Sequence, residues 1–344
     1  MNPSPKPIQN DVLSQKLWHK IDHKTKPLKS LGRLEEIAHQ VGLIQESLSP
    51  KLKSPKLLVF AADHGIAEEG VSAYPPEVTY QMVQNFLNRK ACINSFCDTQ
   101  GLDLLIIDAG VKKDSKPHPL LKVKKTRRGS RNMTKEAALT LKEVQTSLKY
   151  GADVVEDCYQ QGTNWIGLGE MGIGNTSVAS LWMHLLSNIP LESCIGKGTG
   201  IQKISQKKKV LLKVLAQHGR SPNLSSEMAN YGGIELLQLC GAMGWAAHRR
   251  MVIMIDGFVV SVAYLLAERL YPHIKDYVFF SHLSHEKGHK TLLSYLQVKP
   301  LLSLDLRLGE GTGAALAYPL MKSALAFLNH MASFEEAGVS VSEN

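Results

Sequence analysis

Near the carboxyl end of the chain, Leu308-Gly309-Glu310-Gly311-Thr312-Gly313 sets one acid between glycines. Glycines on both sides let a ligand approach the carboxylate and help exclude water, and a desolvated carboxylate is a stronger base. Glu310 is therefore a candidate general base; capping of a following helix, the competing role, is open to Thr312 instead. A second run, Gly167-Leu-Gly169-Glu170-Met-Gly172, follows an apolar stretch and precedes Asn175 and Thr176, both good helix N-caps. Free amides at a helix start cradle anions, which makes this run a candidate phosphate site. A tight strand-to-helix turn explains one or two glycines, but not four with a glutamate.

The same run fits G-x-G-x-x-G, yet a dinucleotide site also needs an acid ending a second strand about 20 residues on. Glu192 has that spacing but sits after Pro190 with no apolar run to present it. A third stretch, Gly196-Lys-Gly198-Thr-Gly200, precedes a basic helix expected from Gln202 to Val214. There Lys207, Lys208 and Lys209 either reach a phosphate or form a solvated face. His282, His285 and His289 lack a clear carboxylate or cysteine partner, and H-E-x-x-H is absent, so hydrogen bonds to a ligand or packing at a dimer contact are expected rather than metal. Asp63-His64-Gly65 is either a ligand-facing group at a strand end or no more than a strand-end turn with a local hydrogen bond. No G-x-S-x-G elbow occurs, which leaves a serine hydrolase without support.

The elements that must position these groups follow from hydrophobic pattern. Six short apolar runs, at 56–65, 102–111, 164–172, 251–258, 276–284 and 301–311, each end in glycine, acid or small polar residues. Helical periodicity fills most gaps between them, as at 78–86, 134–150, 177–187 and 259–270. Continuous apolar strands alternating with helices predict an α/β fold, a six-stranded parallel sheet with helices on both faces. Such sheets bind ligands beyond the carboxyl ends of their strands, where Asp63, Asp108, Glu170, Asp256, His282 and Glu310 fall. Residues 1–55 read as helices, and so does 320–334. The expected organisation is a catalytic domain over 56–319 and a small helical domain assembled from 1–55 and 320–344.

The composition limits the alternatives. Hydrophobic residues at 44% support a large core. The net charge of +9 suits phosphorylated or acidic ligands as readily as nucleic acid, and aromatics at 6% are too sparse for base-stacking platforms. Five scattered cysteines without a C-x-x-C pair indicate neither a disulfide framework nor a zinc ribbon. The opening MNPSPKPIQNDVLSQK has no apolar run to serve as a secretory signal, and 251–266 is too short and broken to span a membrane. A cytoplasmic protein is expected. A NAD-binding oxidoreductase and a basic nucleic-acid-binding protein remain as competing classes.

The motifs together resemble the nicotinate-nucleotide:dimethylbenzimidazole phosphoribosyltransferases, which make the lower-ligand nucleotide of cobalamin. The resemblance runs from about Lys26 to Val339. It rests on KPLKSLGRLE (26–35), ADHGIAEEGVSAYPPEVTYQMVQNF (62–86), DAGV (108–111), RGSRNMT (128–134), GLGEMGIGNTS (167–177), GKGTG (196–200), IDGF (255–258) and LDLRLGEGTGAALAYPL (304–320). It implies a Rossmann-like sheet, a homodimer, no metal requirement, and nicotinate mononucleotide and dimethylbenzimidazole or a related base as substrates. By the same resemblance Glu310 is the catalytic residue and Glu170 belongs to the phosphate-binding segment; for the chemistry this implies, the negative charge of Glu170 is expected at the ribose, facing the oxocarbenium-like transition state. Gly172, Ile173, Gly174 and Lys209 hold the phosphate, while Ser72, Tyr80, Gln81 and Leu308 line the base pocket. The sequence departs from the family at Pro27-Leu28-Lys29, at Gln202-Lys203 after GTG, and at SHLSHEKGH (281–289), which bears on the preferred base.

Overall fold

Val, Ile, Leu and Phe in unbroken runs require cover on both faces of a sheet. In the computed structural model, which describes residues 3–196 and 204–340, these runs become β1 (Lys56–Ala62), β2 (Asp103–Gly110), β4 (Trp165–Met171), β5 (Val252–Ile255) and β6 (Val278–Phe280). The remaining strand, β3 (Leu121–Val123), lies in a lysine-rich stretch outside the six apolar runs. The order is β3-β2-β1-β4-β5-β6, and every pairing is parallel. The expected six-stranded parallel sheet is therefore present, with one member exchanged.

The exchange corrects the reading of 301–311. That run contributes only β8 (Leu302–Ser303), which pairs with β7 (His282–Leu283) in a separate two-stranded sheet. Asp305 and then Gly309, Glu310 and Gly311 all take positive φ, which breaks a strand beyond Ser303. Glu310 thus stands on a turn rather than at the mouth of a sheet strand.

The order in which successive strands are added reverses between β1 and β4, the arrangement that opens a crevice at their carboxyl ends. Local signals set the flanking helices. Asn10 accepts from the Leu13 N–H at 3.0 Å to start Asp11–Asp22, and a Thr140/Glu143 capping box starts Leu141–Gln160. The helix expected to begin with an Asn175 or Thr176 cap instead has Gly174 (φ 98°) at that position with no side-chain cap. Asn175 turns its amide to Glu170.

Both chain ends meet on one side. Lys24 and Ser333 form an antiparallel bridge, Thr25 donates to the Ala332 carbonyl at 3.1 Å, and Asn329 reaches Pro50 at 2.9 Å. Leu17, Ile21, Ile37 and Ile44 belong to the same buried cluster as β1. The division expected at 319/320 falls inside one helix, Thr312–His330. Among the described residues no helix is long and apolar enough to cross a membrane.

Candidate active site

The end of β4 and the turn after β8 touch closely enough that both need glycine. A Cβ on Gly169 would sit 2.4 Å from the Gly311 nitrogen, and one on Gly309 would sit 2.8 Å from Glu170 Oε1. Three consecutive left-handed residues, Gly309 (φ 84°), Glu310 (φ 62°) and Gly311 (φ 86°), make the turn. For a glutamate such a conformation costs about 1 kcal/mol or more and persists only where the surroundings enforce it. Asp256, just beyond β5, does so: its carboxylate accepts from the Gly311 N–H at 3.0 Å and the Gly313 N–H at 2.7 Å. The Thr312–His330 helix is therefore capped from a distant strand. Thr312, the expected capping residue, points back to the Gly309 carbonyl at 2.8 Å.

The result is a group of acids with too little compensation. Glu310 is 4% exposed, and among the described residues its Oε2 has no hydrogen-bond partner. Burial pushes its pKa up to about 7, aided by the Asp256 charge and opposed by the Ile93 backbone N–H. Glu170 is 9% exposed, and burial pushes it up to about 8, with the Glu235, Asp256 and Glu310 charges adding and the Asn175 amide opposing. Asp256 is also raised by burial, while His282 and the capping amides pull the other way. His282 Nδ1 lies 3.7 Å from it. Carboxyl groups poised near neutrality in a crevice are suited to moving a proton or stabilising a passing cation.

A cleft of about 90 Å³ opens beside them, lined by Ser72, Glu170, Gly172, Ile173, Gly174 and Leu308 among others. The structure thus brings together these six of the residues singled out in the sequence. Glu310 does not line the cleft; its neighbours Leu308 and Gly309 do. Tyr80 and Gln81 are also outside it, on the Val78–Leu87 helix, where Gln81 is exposed and the Lys113 ammonium lies 4.5 Å from the Tyr80 ring centroid. That helix reaches the loop through Thr79, whose hydroxyl accepts the Ile173 N–H at 3.0 Å. The Ile173 amide is therefore occupied. The N–H groups of Gly174 and Thr176 have no acceptor among the described residues.

Behind the loop, His64 and Glu235 form a wholly buried pair at 2.6 Å, with the His64 ring packed against Gly172 and Gly233. This contact joins the turn after β1 to the first turn of the Ile234–His248 helix and went unread in Asp63-His64-Gly65, because its partner is 171 residues away. Lys209 is exposed, whereas Lys207 is buried and donates to Thr176 Oγ1 at 2.9 Å. GKGTG after Gly196, together with Gln202 and Lys203, lies outside the described residues. His289 accepts the Ser284 N–H at 2.9 Å and lies 3.0 Å from the Ser261 hydroxyl, and burial lowers its pKa to about 3. It is a neutral packing residue with both nitrogens engaged. His285 is exposed, 3.6 Å from Asp305.

An α/β sheet with an anion-ready helix start beside desolvated acids is compatible with a transferase of phosphorylated sugars, and a phosphoribosyltransferase family profile matches residues 7–339. Curated relatives include the nicotinate-nucleotide–dimethylbenzimidazole phosphoribosyltransferases of Cupriavidus taiwanensis, 49% identical over 97% of both chains, and Dechloromonas aromatica, 47% identical over 98% of both. The crystal structure of CobT from Thermus thermophilus superposes with a TM-score of 0.92 at 38% identity, covering 96% of this chain and 100% of that one. The chain belongs to the nicotinate-nucleotide–dimethylbenzimidazole phosphoribosyltransferase family, enzymes of cobalamin biosynthesis. Neither the oxidoreductase nor the nucleic-acid reading is favoured by that membership.

Proposed function

We propose that the chain transfers the phosphoribosyl group of nicotinate mononucleotide to dimethylbenzimidazole or a related base, releasing nicotinate and α-ribazole 5′-phosphate. The nicotinate of the donor is already a pyridinium cation, so it leaves with the C1′–N bonding pair and needs no proton. One base suffices: Glu310 takes the imidazole N–H proton as the other ring nitrogen bonds to C1′. Attack opposite the leaving group inverts the β-linkage to α. Glu170, largely protonated in the empty site at pH 7, ionises as the pyridinium approaches and then faces the positive charge that develops on the ribose. Phosphate is received at Gly172 and Gly174 and the start of the Asn175–Ser187 helix.

The observation that supports this reading most is the acid pair at the β4 crevice, with Glu310 pushed up to about 7 and, among the described residues, lacking a partner for Oε2. A base is most effective when its pKa is close to the working pH. The base pocket is assigned to Ser72 and Leu308, with Tyr80 and Gln81 entering it only if the Val78–Leu87 helix shifts. The homodimer and the cytoplasmic setting belong to the same proposal. Incubating the protein with nicotinate mononucleotide and a panel of benzimidazoles, purines and phenols, with products read by mass, tests it. An α-riboside phosphate is expected for at least one base; no riboside phosphate from any of them would remove the reading.

A further inference from the structure

Two buried groups behind the β4 crevice take no part in the transfer as derived above. His64, in the turn after β1, and Glu235, in the first turn of the Ile234–His248 helix, meet at 2.6 Å with neither side chain exposed. His64 Nδ1 and Glu235 Oε2 have no hydrogen-bond partner among the described residues, and no lysine or arginine among them lies within ion-pair distance of Glu235. An imidazolium would bury a second N–H with no acceptor. The ring is therefore assigned one proton, on Nε2 and donated to Oε1, which leaves the pair with the negative charge of the carboxylate. A buried charge of this kind calls for a cation to answer it.

The pair sits directly behind the loop that follows Glu170. The ring nitrogen that binds Glu235 is also the ring atom nearest Gly172: a Cβ there would lie 3.0 Å from Nε2, and one on Gly174 would lie 3.4 Å from the His64 Cβ. A Cβ on Gly233 would lie 3.0 Å from Cε1, so the ring is wedged between the loop after β4 and the start of the Ile234–His248 helix. Negative charge reaches Glu170 from three elements. Glu235 on that helix acts most strongly, ahead of Asp256 beyond β5 (with His282 beside it) and Glu310 on the turn after β8. The Asn175 amide opposes them.

We propose that His64 and Glu235 are positioning residues for Glu170: His64 pins the Glu235 carboxylate behind the β4 loop, and its negative charge holds the proton on Glu170 until the cationic donor arrives. The proposal rests on the phosphoribosyl reading above and adds to it what readies Glu170. A pyridinium beside a carboxyl favours the ionised form. On donor binding the Glu170 O–H bond breaks, its electron pair stays on the carboxylate, and the proton passes to water.

Glu235→Gln is the decisive variant, since the amide oxygen still accepts from His64 while the charge is lost. Calorimetric binding of nicotinate mononucleotide, repeated in buffers of different ionisation heat from about pH 6 to about pH 9, counts the protons released. The parent should release close to one proton at pH 7, because Glu170 stands at about 8 in the empty site. In Glu235→Gln the release profile should move down by about one pH unit or more, the scale of a neighbouring charge. In a Glu170→Gln background the same change should move nothing. The KM for the base should keep its parental value throughout. A release profile that stays in place, or that moves equally without the Glu170 carboxyl, would overturn the assignment. So would a parallel loss of nucleotide and base affinity with the proton count unchanged, the behaviour of a pair that only ties two elements together. Should Glu235→Gln not fold, His64→Leu combined with Glu235→Met carries the test with the same shift expected, because replacing both members of a buried pair by apolar groups is commonly tolerated. A parent protein that binds the nucleotide and shows the shift but forms no riboside ends the transfer reading and leaves this assignment standing. One that does not bind the nucleotide ends both.

Discussion

Two clefts lie at opposite ends of the same sheet, and the larger is the chemically quieter. At the amino ends of β1 and β2, a cleft of about 580 Å³ is edged by Lys56, Arg89, Asp98, Asp103, Lys122 and Asp157. Each of these charges has an opposite partner: Lys56 with Asp103 at 3.1 Å, Lys122 with Asp157 at 2.7 Å, and Arg89 with Asp98. Its thiols, Cys97 and Cys158, are pushed up to about 12 and about 11 by burial and do not ionise at neutral pH. At the carboxyl ends, a cleft of about 90 Å³ sits beside acids that share too few donors and a buried lysine, Lys207, whose single hydrogen-bond partner among the described residues is neutral. On the proposed transfer reading, volume does not mark the functional end. Desolvated charge whose compensation must come from a ligand does.

The largest effect that could break this comparison comes from Glu310. Glu310→Gln should lower kcat by about 10²- to 10⁴-fold, the usual contribution of a general base, while nucleotide binding is largely kept. Parent turnover should fall as pH drops through about 7, where Glu310 takes up its proton. The stability effect has the opposite sign. A carboxyl whose folded pKa is raised from 4.5 to about 7 binds more protons folded than unfolded between those values. Its contribution is fully present below pH 4.5 and lost as pH rises through 7. Glu310→Gln should therefore melt higher than the parent at pH 8.5 and no higher at pH 4, read by calorimetry. Near-parental turnover, or lower stability at pH 8.5, would place Glu310 with the paired charges of the other cleft.

The two ends also differ in how far the sequence discloses them. Unbroken apolar runs betray five of the six sheet strands, because a strand covered on both faces has no polar alternation. The three-residue edge strand Leu121–Val123 hides among lysines, since an edge with partly exposed side chains tolerates charge. Leu304-Asp305-Leu306-Arg307-Leu308 alternates like a strand and is not one, because positive φ at Asp305 and at 309–311 commits it to a turn. Glu170 and Glu310 were legible through the glycines that their close approach demands. Asp256 was legible as a strand-end acid but not as the cap of a helix that begins 56 residues later. Lys207 could not be told from Lys209, because which face of their helix is covered depends on Thr176, 31 residues away.

Asp256 sharpens the comparison at intermediate size. Asparagine keeps one acceptor for the Gly311 and Gly313 amides, loses the other and removes the charge. Asp256→Asn should cost about 1–3 kcal/mol in stability, as expected when a buried donor loses its acceptor. Because the Asp256 charge helps raise Glu310, its removal should also move the acidic limb of the turnover profile below pH 7. A looser turn with no electrostatic link would lower kcat and leave the limb in place.

The smallest effect belongs to the quiet cleft. Asp103 pairs with Lys56 while 73% of its side chain remains in water, so the ion pair is screened and partly replaced by hydration. Asp103→Asn should change unfolding free energy by less than about 0.5 kcal/mol and leave turnover and nucleotide affinity at parental values. Chemical denaturation and steady-state kinetics on the same preparation suffice to check it. A tenfold loss of turnover from this position would mean that the amino-end cleft communicates with the β4 crevice through the body of the sheet, and the division of labour between the two ends would have to be abandoned.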